Sequence, residues 1–299
     1  MKGNRGQIKS ITIQDRDGLS TINCRSVVLA CGGFEANSEM RIKYLGTKWE
    51  NAKVRGSRYN TGDGHRAALD IGAATNGQWT GCHGTPIDLH APKMGDLALT
   101  DAMPRRSYNL GIMVNLDGNR FTDEGIGFAE QTFVQIGSDI LSQKRNRAFQ
   151  IFDQRAVSHL EARYGGSSSI SAGSIKELAG LIGVNPTVLM STVDQFNSES
   201  EDAEYLPRTL DGRSTGSINP SKSNWAIKID KPPFLAYAVT GSITYTYGGL
   251  KIDEYARVLD MEDNPITGLY AAGEIVGGIF YHNSLRAAGL MHGSVFGKL

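Results

Sequence analysis

The run Gly268-Leu-Tyr-Ala-Ala-Gly273-Glu274-Ile-Val-Gly-Gly278 constrains this chain more than any other stretch. Leu269 to Ala272 reads as a buried strand, Gly273-Glu274 as the turn that ends it, and the residues beyond as a glycine-rich loop. Further on, Ala288-Gly289-Leu290 opens a small-residue helix that continues towards Gly297. Backbone without Cβ atoms at such points can approach a flat cofactor closely, and one carboxylate beside it can take a sugar hydroxyl.

At 299 residues the chain exceeds a typical single domain, so two domains are expected. The 31 basic and 31 acidic residues cancel, so no nucleic-acid partner and no membrane-surface attraction is expected. No window approaches eighteen apolar residues, so no membrane span is expected either. Cys24, Cys31 and Cys82 form no CxxC pair, which gives no metal site and suits a reducing, cytoplasmic compartment. The first residues carry no apolar run of the signal-peptide kind. A targeting segment upstream of Met1 would leave no trace in this sequence.

Residues 7 to 30 read as a β-meander, with Asp15-Arg-Asp-Gly18 as a turn and Ser26-Val-Val-Leu-Ala30 as a buried strand ending in Cys31-Gly32-Gly33. Helices are expected from Glu35 to Leu45 and from His65 to Ile71, the second closed by Gly72. From about Trp79 to Thr244 the texture changes. Asp117-Gly118 reads as a hairpin turn between Gly111–Asn115 and Asn119–Phe121, and Phe149–Phe152 as a short buried strand. Ser174-Ile-Lys-Glu177 is a capping box that opens a helix stopping near Gly183. Asn185-Pro186 supplies a cap and a first-position proline for a second helix through Phe196. Residues 198 to 224 read as an exposed loop, and Tyr237 to Thr246 as a returning strand. The expected division is one domain split between 1–82 and 247–299, with a second, 83–246, inserted.

Gly62-Asp63-Gly64-His-Arg-Ala67 fits the pattern GxGxxA. The residues before it, Arg58-Tyr-Asn-Thr61, are not a buried strand, and no acidic residue closes a following strand about twenty positions on. It therefore reads as a helix start on a tight glycine turn. The sequence holds no other such motif, so the loop that would seat a pyrophosphate is expected in a segment outside it.

Five motifs in order carry a family resemblance: Val27-Val-Leu-Ala-Cys-Gly-Gly-Phe34, Thr61-Gly-Asp-Gly64, Gly118-Asn-Arg-Phe121 with Glu124, Tyr247-Gly-Gly-Leu250, and Gly268-Leu-Tyr-Ala-Ala-Gly-Glu274. Together they resemble the FAD-dependent fumarate reductase and succinate dehydrogenase flavoprotein superfamily. Asp123-Glu-Gly125, Phe149-Gln-Ile-Phe-Asp-Gln154 and Ile243-Thr-Tyr-Thr-Tyr-Gly-Gly249 look nearest its tricarballylate dehydrogenase branch. The resemblance implies an α/β fold: a discontinuous, Rossmann-like FAD-binding domain, incomplete at its N-terminus, with an inserted α+β capping domain. It implies FAD contacts from Ala30, Cys31, Gly32 and Gly33, from Asp63, from Gly273 and Glu274, and from the helix start at Ala288, Gly289 and Leu290. Amides at such a start can stabilise negative charge on a reduced flavin.

The same resemblance implies a substrate site built from His83, Thr100 with Asp101, Arg105 or Arg106, Tyr245 and Arg286. Tyr245 stands where the family has a histidine, Phe128 where fumarate reductases have a proton-donating arginine, and Ser284 where they have a carboxylate-clamping one. The expected reaction moves two hydrogens across a carbon–carbon bond of a small carboxylate, with Tyr245, His83 or an arginine handling the proton. A 3-ketosteroid-type dehydrogenase and a truncated chain without activity are the rival readings. No CxxCH haem motif is present, so electrons are expected to leave through a partner protein, a quinone or oxygen. Arg120 is expected to pair with Glu124.

Overall fold

The computed structural model describes residues 7–99, 101–166, 168–285 and 287–298. The chain divides into two compact units of mixed α/β structure. Unit 1 draws on Met1–Glu50, Gly56–His83 and Ile243–Leu299, and unit 2 on Asn51–Arg55 and Gly84–Ser242. Against the expected borders, His83 and residues 243–246 fall in unit 1, while Asn51–Arg55 falls in unit 2. Pairing explains the second shift: Lys53–Val54 lies beside the long strand Phe234–Thr246, most of which is in unit 2.

Unit 1 is organised by a three-stranded sheet in the order Arg257–Leu259, Pro265–Ala271, Val27–Leu29. The first two pair antiparallel. Val27–Leu29 pairs in parallel, with Val27 opposite Leu269 and Leu29 opposite Ala271. The twofold alternation of a strand sends Val27 and Leu29 into the core and leaves Val28 64% exposed. Leu250, Val258, Leu269, Ala271 and Ile275 complete the apolar cluster around them. The hairpin Ser10–Asp15 with Gly18–Asn23 turns at Arg16-Asp17, with Asp15 paired to Gly18.

The helix expected over Glu35–Leu45 is shorter and irregular. It begins at Ser38, because Asn37 turns out of helical geometry and its side chain accepts from the Met40 amide at 3.1 Å. Arg41–Leu45 then forms a wide π-type turn, closed by the Gly46 amide on the carbonyls of Arg41 and Ile42. The Arg41 guanidinium draws in this segment, donating to the main-chain carbonyls of Glu35 and Trp49 at 2.5 and 2.9 Å. Glu35 is thereby outside any helix and fully buried.

Unit 2 centres on Phe234–Thr246, which pairs antiparallel with Ala148–Phe152, itself antiparallel to Ile112–Asn115. Successive side chains serve opposite faces. Ile112, Val114, Phe149 and Ile151 meet the helices Ile175–Ile182 and Pro186–Ser198 through Leu178, Leu189, Val193 and Phe196. Met113, Ala148 and Val239 meet the helix Ala129–Leu141 through Phe133, Ile136 and Ile140. The local signals act as their chemistry requires. Ser174 accepts from the Glu177 amide at 3.2 Å, and Glu177 answers by accepting from Gly173 at 3.0 Å. Gly183 ends that helix in the left-handed region, and Asn185 caps the next one at the Thr187 amide, 2.9 Å away.

The segment after Ser198 differs from the exposed loop expected. It carries no helix or strand up to Phe234 among the described residues, yet Tyr205, Thr215, Lys222 and Trp225 are buried. Arg155 anchors it, pairing with Asp153 at 2.7 Å, Asp202 at 2.9 Å and Asp230 at 2.5 Å. Arg120 pairs with Glu124 as expected, through Nε to Oε1 at 3.1 Å and a second contact to Oε2, and Glu124 also accepts from the Met113 amide at 2.7 Å. Glu124 is wholly buried, so removing the guanidinium strands a charge. Arg120→Met is expected to cost on the order of 3–5 kcal/mol in urea unfolding; a loss below about 1 kcal/mol would show that the pair is not what holds this corner.

Candidate functional site

Two turns of unit 1 are brought together by its parallel strand pair. One is Ala30–Gly33, after Val27–Leu29; the other is Gly273–Ile275, after Pro265–Ala271. The Ala272 amide donates to Leu29 at 3.0 Å and extends the pairing by one rung. Packing there is tight enough to demand glycine: a Cβ at Gly33 would stand 2.1 Å from Glu274 Oε1 and 2.3 Å from Thr246 Oγ1. Cys31 is exposed at the same turn.

Thr246 and Asn60 hold Glu274. Its Oε1 accepts from the Thr246 amide at 2.9 Å and the Thr246 hydroxyl at 3.4 Å, and its Oε2 from Asn60 Nδ2 at 3.2 Å. The same Asn60 nitrogen donates to Glu35 Oε1 at 2.6 Å. Burial, and then the charge of Glu274, push the Glu35 carboxyl up to about 10. Burial also raises Glu274, against the hydrogen bond from Thr246. Sequence reasoning missed Glu35. Its one signal was its place directly after Cys31-Gly32-Gly33-Phe34, which the expected helix masked.

Asp63 opens the helix Asp63–Leu69, preceded by Gly62 in the left-handed region, where a Cβ would sit 2.3 Å from Met40 Sδ. No strand precedes this turn within residues 55–62. Asp63 is exposed and hydrogen-bonded by Thr61 and Arg66, which together lower its pKa. His65, one turn of chain further, is buried between Phe34 and Trp79, and burial drives its pKa down to about 4. It is therefore a neutral core residue.

Ala288, Gly289 and Leu290 form the first turn of the helix Ala288–Phe296. Ala287 precedes them in a left-handed conformation and offers no side-chain cap to their amides. The helix buries none of its residues: Leu290, Met291 and Val295 are 73%, 59% and 53% exposed. Arg286 and Thr100 lie outside the described residues.

His83 and Tyr245 stand together in unit 1, their ring centroids 4.7 Å apart. His83 Nδ1 lies 3.1 Å from the Thr244 hydroxyl, and the Tyr245 phenol donates to Ser284 Oγ at 2.7 Å. Phe280 and the buried Tyr247 flank Tyr245 at ring distances of 5.7 and 6.1 Å. Burial raises the Tyr247 phenol.

In unit 2 the two adjacent arginines part company. Arg105, one of the two candidates, is 1% exposed and turned into the fold, pairing with Asp88 at 2.9 Å and donating to the carbonyls of Ala102 and Pro104. Arg106 is the one left half-buried. Its Nε donates to Thr85 Oγ1 at 3.1 Å, its guanidinium lies 4.5 Å over the Phe133 ring, and burial together with Arg55 lowers its pKa. Asp88 captures Arg105, while Arg106 stands at the turn that opens Ser107–Leu110 and so directs its side chain elsewhere.

Residues 3–290 match the model of the FAD_binding_2 family, an FAD binding domain. The chain belongs to that family. Its cofactor is FAD. The "Probable fumarate reductase Ifc3" of Shewanella frigidimarina is 31% identical over 293 residues, taking in 94% of this chain and 44% of that protein. The solved open conformation of a flavocytochrome c3 fumarate reductase is similar with a TM-score of 0.76 and 25% identity, over 100% of this chain and 49% of that one. The 3-ketosteroid Δ1-dehydrogenase of Sterolibacterium denitrificans, solved with 1,4-androstadiene-3,17-dione, gives 0.68 and 26%, over 99% and 56%. This chain spans less than half the length of the first curated relatives it matches.

Three features of unit 1 suit FAD. Asp63 and Glu274 offer carboxylate oxygens to hydroxyl groups, Gly33 sits where a side chain would fill the turn, and the Ala288–Phe296 helix has an uncapped amide end. Gly33→Ala is expected to cost about 1–3 kcal/mol through overpacking against Glu274 and Thr246. Thermal unfolding checks this, and an unchanged midpoint would mean that the turn is looser than drawn.

Proposed function

We propose that this chain is part of an FAD-dependent oxidoreductase that adds or removes two hydrogens across a carbon–carbon bond of a small carboxylate, tricarballylate-like or fumarate/succinate-like. The observation that carries the reading is the Tyr245 phenol, hydrogen-bonded to Ser284 and set against His83, in a chain of an FAD family. FAD supplies the two-electron acceptor or donor when bound. Asp63 and Glu274 would accept from its hydroxyl groups, and the amides of Ala288, Gly289 and Leu290 and the Ala30–Gly33 turn would hold it from the backbone. In the reduction Tyr245 gives its phenolic proton to the substrate carbon and is left as phenolate until the Ser284 hydroxyl, which can donate its own proton while accepting another, restores it; in the oxidation the phenolate takes the proton and the flow reverses. Within unit 2, read as the capping domain, Arg106 offers a guanidinium of the kind that recognises a carboxylate. Electrons reach or leave the flavin through a partner protein or a quinone.

Support for a further segment comes from what unit 1 leaves open. The family needs a pyrophosphate loop, and no GxGxxG follows a strand here. Val28, Leu285, Leu290 and Met291 are exposed apolar side chains of the same unit. We assign their cover to a glycine-loop segment outside this sequence. The steroid reading keeps a specific support: tyrosine at 245 and serine at 284 remove a histidine and a guanidinium that a dicarboxylate would favour, and a 3-ketosteroid dehydrogenase shares the fold.

In the full-length protein, Glu274→Ala is expected to weaken FAD retention, and Tyr245→Phe to lower kcat by about 10²–10⁴ with tricarballylate, succinate or fumarate and a dye mediator. A full-length protein that releases no flavin on denaturation, or a Tyr245→Phe enzyme of undiminished kcat, would overturn the assignment. Turnover of a 3-ketosteroid but of no carboxylate would decide for the second reading.

A further inference from the structure

We infer that Glu35 and Glu274 are one acid pair sharing a single proton, and that Glu35 is a positioning residue whose proton fixes Glu274 as an acceptor for a cofactor hydroxyl. The second half rests on the proposed role of Glu274; the first stands on geometry alone.

Both carboxyls lean on one nitrogen. Asn60 Nδ2 lies 2.6 Å from Glu35 Oε1 and 3.2 Å from Glu274 Oε2, so the two groups are within two hydrogen-bond lengths of each other. Glu35 is fully buried, and its surroundings leave it little room: a Cβ at Gly56 would come within 2.9 Å of its Oε1. The cation beside the pair is Arg41, and its guanidinium donates to the carbonyl oxygens of Glu35, Trp49 and Glu50 rather than to either carboxyl. The other titratable neighbour is the Cys82 thiol, which burial pushes up and keeps neutral. Two like charges this close, in a buried place with their cation engaged elsewhere, do not both persist.

Hydrogen bonding decides which member carries the proton. Glu274 takes two donors from Thr246 and one from Asn60, and each favours its charged form. Glu35 takes Asn60 and its own backbone N–H at most, its Oε2 has no hydrogen-bond partner among the described residues, and burial, the largest influence on it, disfavours its charged form. The proton therefore belongs on Glu35 and is offered to Glu274. Glu274 keeps its charge, and its orientation is set from the protein side.

The sign of the pH effect follows. A carboxyl whose folded pKa lies above its unfolded value of roughly 4.3 contributes its full stability below that pH and loses it as pH rises towards the folded value. The stability of this chain, measured by urea unfolding, should fall from pH 6 to pH 9, and Glu35→Gln, which keeps a donor but cannot titrate, should flatten that slope. Infrared absorption of a protonated carboxylic acid at neutral pH should be present in the wild type and absent from Glu35→Gln. In the full-length protein, Glu35→Gln should keep FAD affinity within about threefold, and Glu35→Leu should weaken it about tenfold or more. An unchanged pH slope together with an unchanged infrared band in Glu35→Gln overturns the pair. Should Glu35→Gln not fold, Glu274→Gln serves in its place: with the like charge gone and burial remaining, the slope should become shallower without vanishing, and an unchanged slope there overturns the pair. A flattened slope with FAD affinity indifferent to both Glu35→Leu and Glu274→Ala would keep the shared proton and overturn the cofactor role.

Discussion

The parallel pairing of Val27–Leu29 with Leu269–Ala271 is the constraint on which unit 1 depends. The strands come from opposite ends of the chain, so the contact closes a very long loop and must be repaid by the apolar cluster of Val27, Leu29, Leu269 and Ala271. Parallel strands end on the same side. Pairing them therefore sets the turns at 30–33 and 273–275 next to each other, at the carboxyl ends where open α/β sheets carry their ligands. Every contact that follows, Glu274 against Gly33, Thr246 and Asn60, is a consequence of that register.

Much of this was legible because the signals are local. The capping box at Ser174, the Asn185-Pro186 start and the left-handed stops at Gly183 and Gly18 act within a few residues, so sequence spacing alone specifies them. The ion pair of Arg120 with Glu124 was legible for the same reason, being four residues apart. What escaped was set at a distance. Glu35 reads as a helical residue until Arg41 draws its carbonyl inward. The segment after Ser198 reads as solvent-facing until Arg155 pulls Asp202 and Asp230 towards Asp153. Arg105 and Arg106 are equivalent in sequence, and only the position of Asp88, seventeen residues back, separates them.

That separation bears on how a cation is judged. A guanidinium recognises a carboxylate by its free fork of donors. Arg105 directs donors to Asp88, Ala102 and Pro104; Arg155 directs them to three aspartates and a carbonyl. Both are buried supports, and their loss would be felt as instability. Arg106 has its Nε on a neutral hydroxyl and its face on a phenyl ring, an arrangement that holds the group in place without neutralising it.

The two units therefore handle buried acid in opposite ways. In unit 2, Glu124 and Asp153 are each matched by a fixed guanidinium. In unit 1, Glu35 and Glu274 are matched by an amide, a hydroxyl and a backbone N–H. A fixed arginine on Glu274 would occupy the oxygens that a hydroxyl donor must reach, and would hold them in one geometry. A proton on a neighbouring carboxyl removes one of two like charges without taking up a fork of acceptor sites. A Cβ at Gly33 would stand 2.1 Å from Glu274 Oε1, so the backbone itself closes one side of that carboxylate, and a proton on Glu35 leaves the pair with one buried negative charge instead of two.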